Sequence, residues 1–344
     1  MDIYTLDSNF IKSEVIDGYE SLIWTERYSE YGDFELLTSP TLKMRGFLKM
    51  GTMLSIEESD RIMIVESVYV TKIDGKNTLK ASGRSFEAVL EDRAVRPGSY
   101  EWYVRSTTGD IVRDMVWRIC VVGNAFSPND VIPDLEAQNL STSTKIIDTT
   151  VKFQSVYAAI KELCDAESLG FKITLHGGNP RLQFTVYSGD IRQGVVFSSK
   201  LDTLTNPSYL LSQESYKNIA YVYCKTGVYI VPAPGTDIDI QGVKRRVLAV
   251  DANDIDTTQV TAAEFQNMIT QRGLEALAEH RLIKAFDGEI PLDAPYLYNR
   301  DYFQGDIVLL LGDNDATQAV RITEYIWAYD AEGGRSYPTF TEIE

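Results

Sequence analysis

Residues 51–75 read GTMLSIEESDRIMIVESVYVTKIDG, and this stretch decides the fold class. Apolar residues alternate in Met53-Leu54-Ser55-Ile56 and again from Ile62 to Val70, the period of a half-buried strand. Asp74-Gly75 closes the run with a strong hairpin signal, since a tight two-residue turn needs residues that tolerate positive φ. The chain resumes as a strand at Thr78-Leu79-Lys80-Ala81. The same order returns in residues 305–334, GDIVLLLGDNDATQAVRITEYIWAYDAEGG. There a glycine opens an alternating strand, Gly312–Asp315 turns, Arg321–Trp327 runs back, and Asp330–Gly334 turns again. Glu66 and Glu324 each stand in mid-strand, and Gly32-Asp33 and Gly305-Asp306 add a weaker echo. The order predicts that one β unit occurs twice in the chain.

Outward from these runs, residues 1–97 read as an all-β unit. Ile3–Leu6 opens it, Ser21–Tyr28 and Phe34–Leu37 flank the Gly32-Asp33 turn, and a short helix falls near Ser85–Asp92. Short strands between turn signals suggest a small barrel or sandwich. Residues 98–200 change character. Ile111, Val112, Met115, Val116, Ile119 and Cys120 form one helical stripe, and Val156, Tyr157, Ile160, Leu163 and Cys164 a second. Gly170 stands where that second helix should stop, and a hairpin follows through Gly177-Gly178-Asn179-Pro180. The polar stretch 123–150 reads as a long exposed loop. Residues 201–344 return to β, with strands expected at Tyr216–Tyr223 and Val243–Val250. Thr261-Ala262-Ala263-Glu264 fits a capping box opening a helix of about six turns, near 261–284. The fold class is thus mainly β with an α+β insertion: two β-barrel domains, 1–97 and 201–344, and an α+β domain over 98–200.

The chain has 344 residues and a formal net charge of −17. Such acidity repels nucleic-acid phosphate unless a basic patch overrides it, and the densest basic run is only Lys244-Arg245-Arg246. Specific DNA binding is therefore not expected, whereas a wall that DNA slides past is compatible with the charge. Cys120, Cys164 and Cys224 are odd in number and far apart, with no metal spacing, and read as reduced core residues. The opening Met1-Asp2-Ile3-Tyr4 has neither the basic nor the apolar region of a signal peptide. No apolar run approaches the about 18 residues that would suggest a membrane span.

Several of these segments resemble the siphophage tail-hub proteins, which are related to the baseplate hub rings of contractile phages and to the bases of type VI secretion spikes. The resemblance rests on Ile3-Tyr4, on Tyr19–Tyr28 with Gly32–Leu36, on Gly83–Arg93, on Tyr216–Val222, on Tyr302–Val308 and on Arg321–Glu324. It covers most of the chain, with 123–150 and 232–260 the poorest stretches, and its evidence is the order and spacing of moderate motifs. It implies a homotrimer in which two barrels per chain make a pseudo-sixfold ring. Such a ring would join the hexameric tail tube, or a distal tail protein above it, to a threefold tip or fibre protein below. The α+β domain would lie lateral to it, and genomic DNA would pass through non-specifically. The implied location is the distal tip of the virion tail, after assembly in the host cytoplasm.

No catalytic, cofactor or metal site is expected, and the sequence does not assign the interface residues. His176 falls in a turn and His280 on the long helix. Glu57 and Glu58 are adjacent on a strand, so they face opposite ways and make poor catalytic partners; Glu91 and Asp92 form the other adjacent carboxylate pair. Asp251, Asp254 and Asp256, like Asp313 and Asp315, lack the spacing of a calcium loop and read as turn residues. Trp24, Trp117 and Trp327 sit in apolar patterns and read as core. Two functions of other classes compete with the hub: a tail-associated cell-wall hydrolase, which lacks a catalytic signature here, and a host-surface glycan binder, which would need exposed aromatic rings.

Overall fold

The computed structural model describes residues 1–73, 75–95, 102–123, 128–178, 181–255, 260–291, 293–312 and 317–343. Asp74, Asn179-Pro180, Asp256, Asp313 and Asp315, read above as turn or acidic-cluster residues, lie outside them.

Strands β1 (Ile3–Leu6), β2 (Lys12–Ile16), β3 (Tyr19–Arg27), β4 (Asp33–Thr38), β5 (Met53–Ile56), β6 (Met63–Ile73) and β7 (Lys76–Ser85) build the first unit, with a short helix α1 (Leu42–Phe47) between β4 and β5. Alternation drives them into one sheet: in β4, Phe34, Leu36 and Thr38 are buried while Asp33, Glu35 and Leu37 are half-exposed. The middle of the chain adds β8 (Trp102–Thr107), α2 (Thr108–Val116), β9 (Leu135–Leu140), β10 (Ile146–Val151), α3 (Val156–Ala166), β11 (Gly170–Leu175) and β12 (Leu182–Tyr187). Both helical stripes of the sequence are buried there. The Thr107 and Ser155 hydroxyls cap α2 and α3 by accepting from Asp110 and Ala158 backbone N–H groups. The 123–150 stretch is not a loop: it carries β9 and β10, with Leu135 and Ile147 buried. Strand β9 pairs parallel with β12 and β10 antiparallel with β8. Their sequences show no alternation because pairing partners remote in the chain, rather than an amphipathic pattern, hold them in place.

The remaining elements are β13 (Ile191–Phe197), β14 (Thr205–Ser212), β15 (Ile219–Cys224), β16 (Gly227–Pro232), β17 (Val247–Asp251), α4 (Ala262–Ala278), β18 (Ile283–Glu289), β19 (Ile307–Leu311), β20 (Thr317–Asp330) and β21 (Gly333–Glu342). The capping box forms, with Thr261 and Glu264 exchanging side-chain and backbone hydrogen bonds. The helix is shorter than expected at 17 residues, and Ile283 opens β18 instead of extending the apolar face. The strand expected from Tyr216 begins at Ile219 and lies in a separate three-stranded sheet, β16-β15-β17. That sheet and α4 enclose their own core around Val222, Val231, Ile269 and Leu277.

The fold is β-rich α+β, as expected. Its frame is one 13-stranded sheet in the order β14-β18-β21-β20-β3-β4-β7-β6-β5-β1-β2, with β19 on β20 and β13 on β19. No closed barrel occurs among the described residues; the first and last thirds of the chain merge where β20 pairs with β3. A single core lies under both, joining Trp24, Phe34 and Leu54 to Phe197, Tyr302 and Phe340. The α+β core joins the first unit through Leu6, Ile62, Phe86 and Leu90.

Candidate assembly interface

The predicted repetition is visible in the order of the strands. Within the first unit the neighbours run β1-β5-β6-β7-β4-β3, and within the last they run β13-β19-β20-β21-β18-β14. In chain order these are the same six strands, with β15–β17 and α4 inserted between the second and third, β14 and β18. The hairpins β6–β7 and β20–β21 have corresponding last pairs, Ile73 facing Lys76 and Asp330 facing Gly333. Both break register at the same point: Val65 pairs with Gly83 and Ser67 with Ser82, while Ile322 pairs with Phe340 and Glu324 with Thr339. Glu66 and Thr323 are therefore equivalent bulge residues. The mid-strand glutamates do not correspond, since Glu324 matches Ser67. Nor does Gly32 match Gly305. Gly305 matches Gly51, as the order of the two runs predicts: their φ values are +87° and +83°. Gly51 N–H donates to Val65 at 2.7 Å and Gly305 N–H to the equivalent Ile322 at 2.9 Å. One difference remains, for β1 pairs antiparallel with β5 while β13 pairs parallel with β19.

The two units meet edge to edge. Strand β20 lies against β21 along one side; its other side is taken by β19 over Thr317–Arg321 and by β3 over Glu324–Tyr329. Trp327 stands opposite Trp24, and both are buried. Arg27 spans the joint, donating to Glu324 at 2.7 Å and to Asp33 at 2.6 Å. Close by, Tyr28 locks the joint to the α+β unit: its hydroxyl lies within 3.2 Å of the Ser168, Tyr187 and Ser188 carbonyls and accepts from Arg321 at 3.1 Å. A second tie is wholly buried. Arg61 donates to Glu87 at 2.7 Å, and the same Glu87 oxygen accepts the Ile173 N–H of β11 at 2.7 Å. Glu26 is buried beside them, accepting from Ser59 and Tyr298, and burial pushes its carboxyl above the usual range. These charges fasten units together, a role that patterning could not reveal because each partner lies far away in sequence.

Equivalence also exposes two unpaired edges. Strand β5 covers β6 only at Met63 and Ile64, so the edge of β6 from Glu66 onward has no strand partner among the described residues. Among the described residues strand β14, the counterpart of β3, pairs only with β18. Its Tyr209, Leu210 and Leu211 are 54%, 51% and 58% exposed, and Tyr69 on β6 is 62% exposed.

The residues singled out from sequence do not converge. His176 stands beyond β11 and its backbone N–H donates to Arg181. His280 lies just past the end of α4, with Nδ1 at 3.1 Å from the Ser215 carbonyl. Glu57 and Glu58 are exposed in the turn after β5, and Glu91 accepts from Arg84 at 2.5 Å. Asp254 forms a two-pronged pair with buried Arg272, at 2.9 and 2.8 Å, and Asp251 accepts from Asn253. Arg245 and Arg246 grip backbone carbonyls of Ile238, Ile240 and Gln213. The three cysteines are buried, and burial pushes the Cys120 thiol up to about 12. Trp24 and Trp327 are core as read, but Trp117 is 42% exposed, because the helical stripe of α2 turns that position away from the core. Among the described residues no three His, Cys, Asp or Glu side chains are grouped to hold a metal. Nor among the described residues is any helix long and apolar enough to cross a membrane.

This architecture is that of solved phage tail proteins. A tail protein from Neisseria meningitidis MC58 superposes with a TM-score of 0.61 at 12% identity, over 99% of this chain and 96% of that one. The 43 kDa tail protein of prophage MuSo2 from Shewanella oneidensis gives 0.61 at 13% identity, over 99% and 98%. Prophage tail protein gp18 from Listeria monocytogenes EGD-e gives 0.54 at 12%, over 100% and 95%. No curated protein matches in sequence. The chain therefore shares the fold of these tail proteins. More narrowly, the chain belongs to the family of Siphovirus ReqiPepy6 Gp37-like proteins, whose model matches residues 1–340.

Proposed function

We propose that this tail protein is the hub, a homotrimeric ring at the distal tip that joins the sixfold tail tube to a threefold tip or fibre and lets DNA pass through its centre. The duplicated β unit carries this reading. Three chains with two equivalent units each present six similar faces to a tube while keeping threefold symmetry on the other side, and a closed ring leaves no contact open to propagate. In this reading the tube-like units are residues 1–97 and 201–344, the second completed by β13, and the rest of residues 98–200 sits lateral to the ring. The role is structural: the charged clusters described above are spent on internal ties, and the buried, raised thiols of Cys120 and Cys164 are poor nucleophiles.

Electron cryomicroscopy of tail particles tests this. The expected density shows three copies around a central hole, with six similar β units facing the tube. Six copies, or one, would overturn the reading.

A further inference from the structure

We propose that the two open edges are each other's partners in neighbouring copies: Ser67–Thr71 of β6 pairs antiparallel with Ser208–Ser212 of β14 in a second copy of this chain. The template is the joint inside the molecule, where β20 meets β3. Strand β6 is the counterpart of β20, and β14 the counterpart of β3. Whatever relation brings the last unit's β20 edge to the first unit's β3, its repetition brings the first unit's β6 edge to a last unit's β14.

The equivalences fix the register. Through β7 and β21, Ser67 corresponds to Glu324 and Val70 to Trp327. Through β4 and β18, Trp24 corresponds to Tyr209 and Arg27 to Ser212: Phe34 and Phe286 occupy matching places opposite Gly83 and Phe340, and they face Trp24 and Tyr209. The internal joint sets Glu324 opposite Arg27 and Trp327 opposite Trp24. Transferred, Ser67 faces Ser212, Val68 faces Leu211, Tyr69 faces Leu210, Val70 faces Tyr209 and Thr71 faces Ser208. Every one of these is an aromatic, aliphatic or hydroxyl pair of the kind that stabilises neighbouring strands, at about 0.2–1 kcal/mol each. The Arg27–Glu324 ion pair of the internal joint is replaced by two serines. The ladder stops at Pro207, which has no N–H to donate. Left bare, an apolar edge such as Tyr209-Leu210-Leu211 invites pairing with another strand, and native chains normally block or cover one. The contact is heterologous, so it closes into a ring or grows as a filament according to the rotation per copy; only its closure at three copies rests on the hub reading.

Paired cysteines test it in assembled tails and in the purified full-length chain. The double variants Tyr69→Cys with Leu210→Cys, and Val70→Cys with Tyr209→Cys, sample adjacent pairs, one of which has the closer Cα spacing of an antiparallel ladder. Lys72→Cys with Ser212→Cys is the out-of-register control. The native cysteines are buried and give little background. Oxidation is expected to give intermolecular products in at least one in-register variant, several-fold above the control and ending at the trimer. Products that continue past the trimer would uphold the strand pairing and sink the threefold ring. A threefold ring seen by microscopy without in-register cross-links would sink the pairing and leave the ring standing. Absence of both would sink both. As an independent arm, Leu210→Lys with Leu211→Lys should abolish copy-to-copy association while leaving the melting temperature of the monomer unchanged; unchanged association in that variant would also overturn the pairing.

Discussion

Gly51 and Gly305 show how one backbone requirement acquires two different energies. Both hold φ near +85°, where a side chain strains against the following carbonyl by about 1–2 kcal/mol. An added Cβ at Gly51 would meet nothing within 4 Å, whereas at Gly305 it would lie 2.2 Å from the Tyr28 ring. Gly51→Ala should therefore cost about 1–2 kcal/mol in denaturant unfolding, and Gly305→Ala clearly more, since Tyr28 is held by its hydroxyl and cannot yield; equal costs would contradict this. Glu275 on α4 gives a pH signature. It is buried against β10, accepts from Thr149 at 3.2 Å and Gln271 at 3.1 Å, and burial pushes its carboxyl from 4.5 up to about 7. The folded chain thus retains a proton that the unfolded chain releases between those values. Its contribution is full below pH 4.5 and is lost as pH rises through 7, by at most about 3 kcal/mol. Measured at pH 5 and pH 8, Glu275→Gln should gain stability relative to the unmodified chain at the higher pH. Parallel pH dependences for the two proteins would rule this out.

At the scale of elements, the units are fastened by buried charge as well as by apolar packing. Arg61 precedes β6, Glu87 follows β7, and Ile173 lies on β11, so a single ion pair with one backbone N–H ties the β frame to the α+β unit. Breaking one side strands a charge in the core, so Arg61→Ala or Glu87→Ala should cost about 3–5 kcal/mol. The double replacement Arg61→Met with Glu87→Leu should cost less than the sum of the singles, as coupled neighbours do. Additive costs in equilibrium unfolding would show that the pair is not coupled. The same element-level logic separates the paired strand β3, whose Trp24, Thr25 and Glu26 are buried, from its exposed counterpart β14. Identical topology yields opposite burial because only one of them has its neighbour in the same chain.

For the whole molecule, the net charge of −17 bears on the channel of the proposed ring. A basic wall would release counterions from DNA and hold it in a salt-dependent way, slowing a genome that must leave. An acidic or neutral wall repels it only over the screening length of about 8 Å. Channel-facing side chains should therefore sum to zero or negative charge. Counting Lys and Arg against Asp and Glu along the hole in a ring structure checks this, and a predominantly basic lining would show the acidity to serve only the outer surface.

The sequence by itself determined the strand-rich class, the two amphipathic helices, the capping box of α4 and the repetition of a glycine, two strands and a hairpin. These depend on periods of two and 3.6 residues and on turn chemistry, all confined to neighbours along the chain. The tertiary structure alone decided the alignment of the repeat, for a single bulge residue shifts side-chain facing by one and made Glu324 the counterpart of Ser67 rather than Glu66. It alone placed β9 and β10, found Trp117 at the surface, and brought Arg61 to Glu87 and β20 to β3. Strand pairing and buried charge are satisfied by partners tens to hundreds of residues away, and no local pattern records which edge will find which.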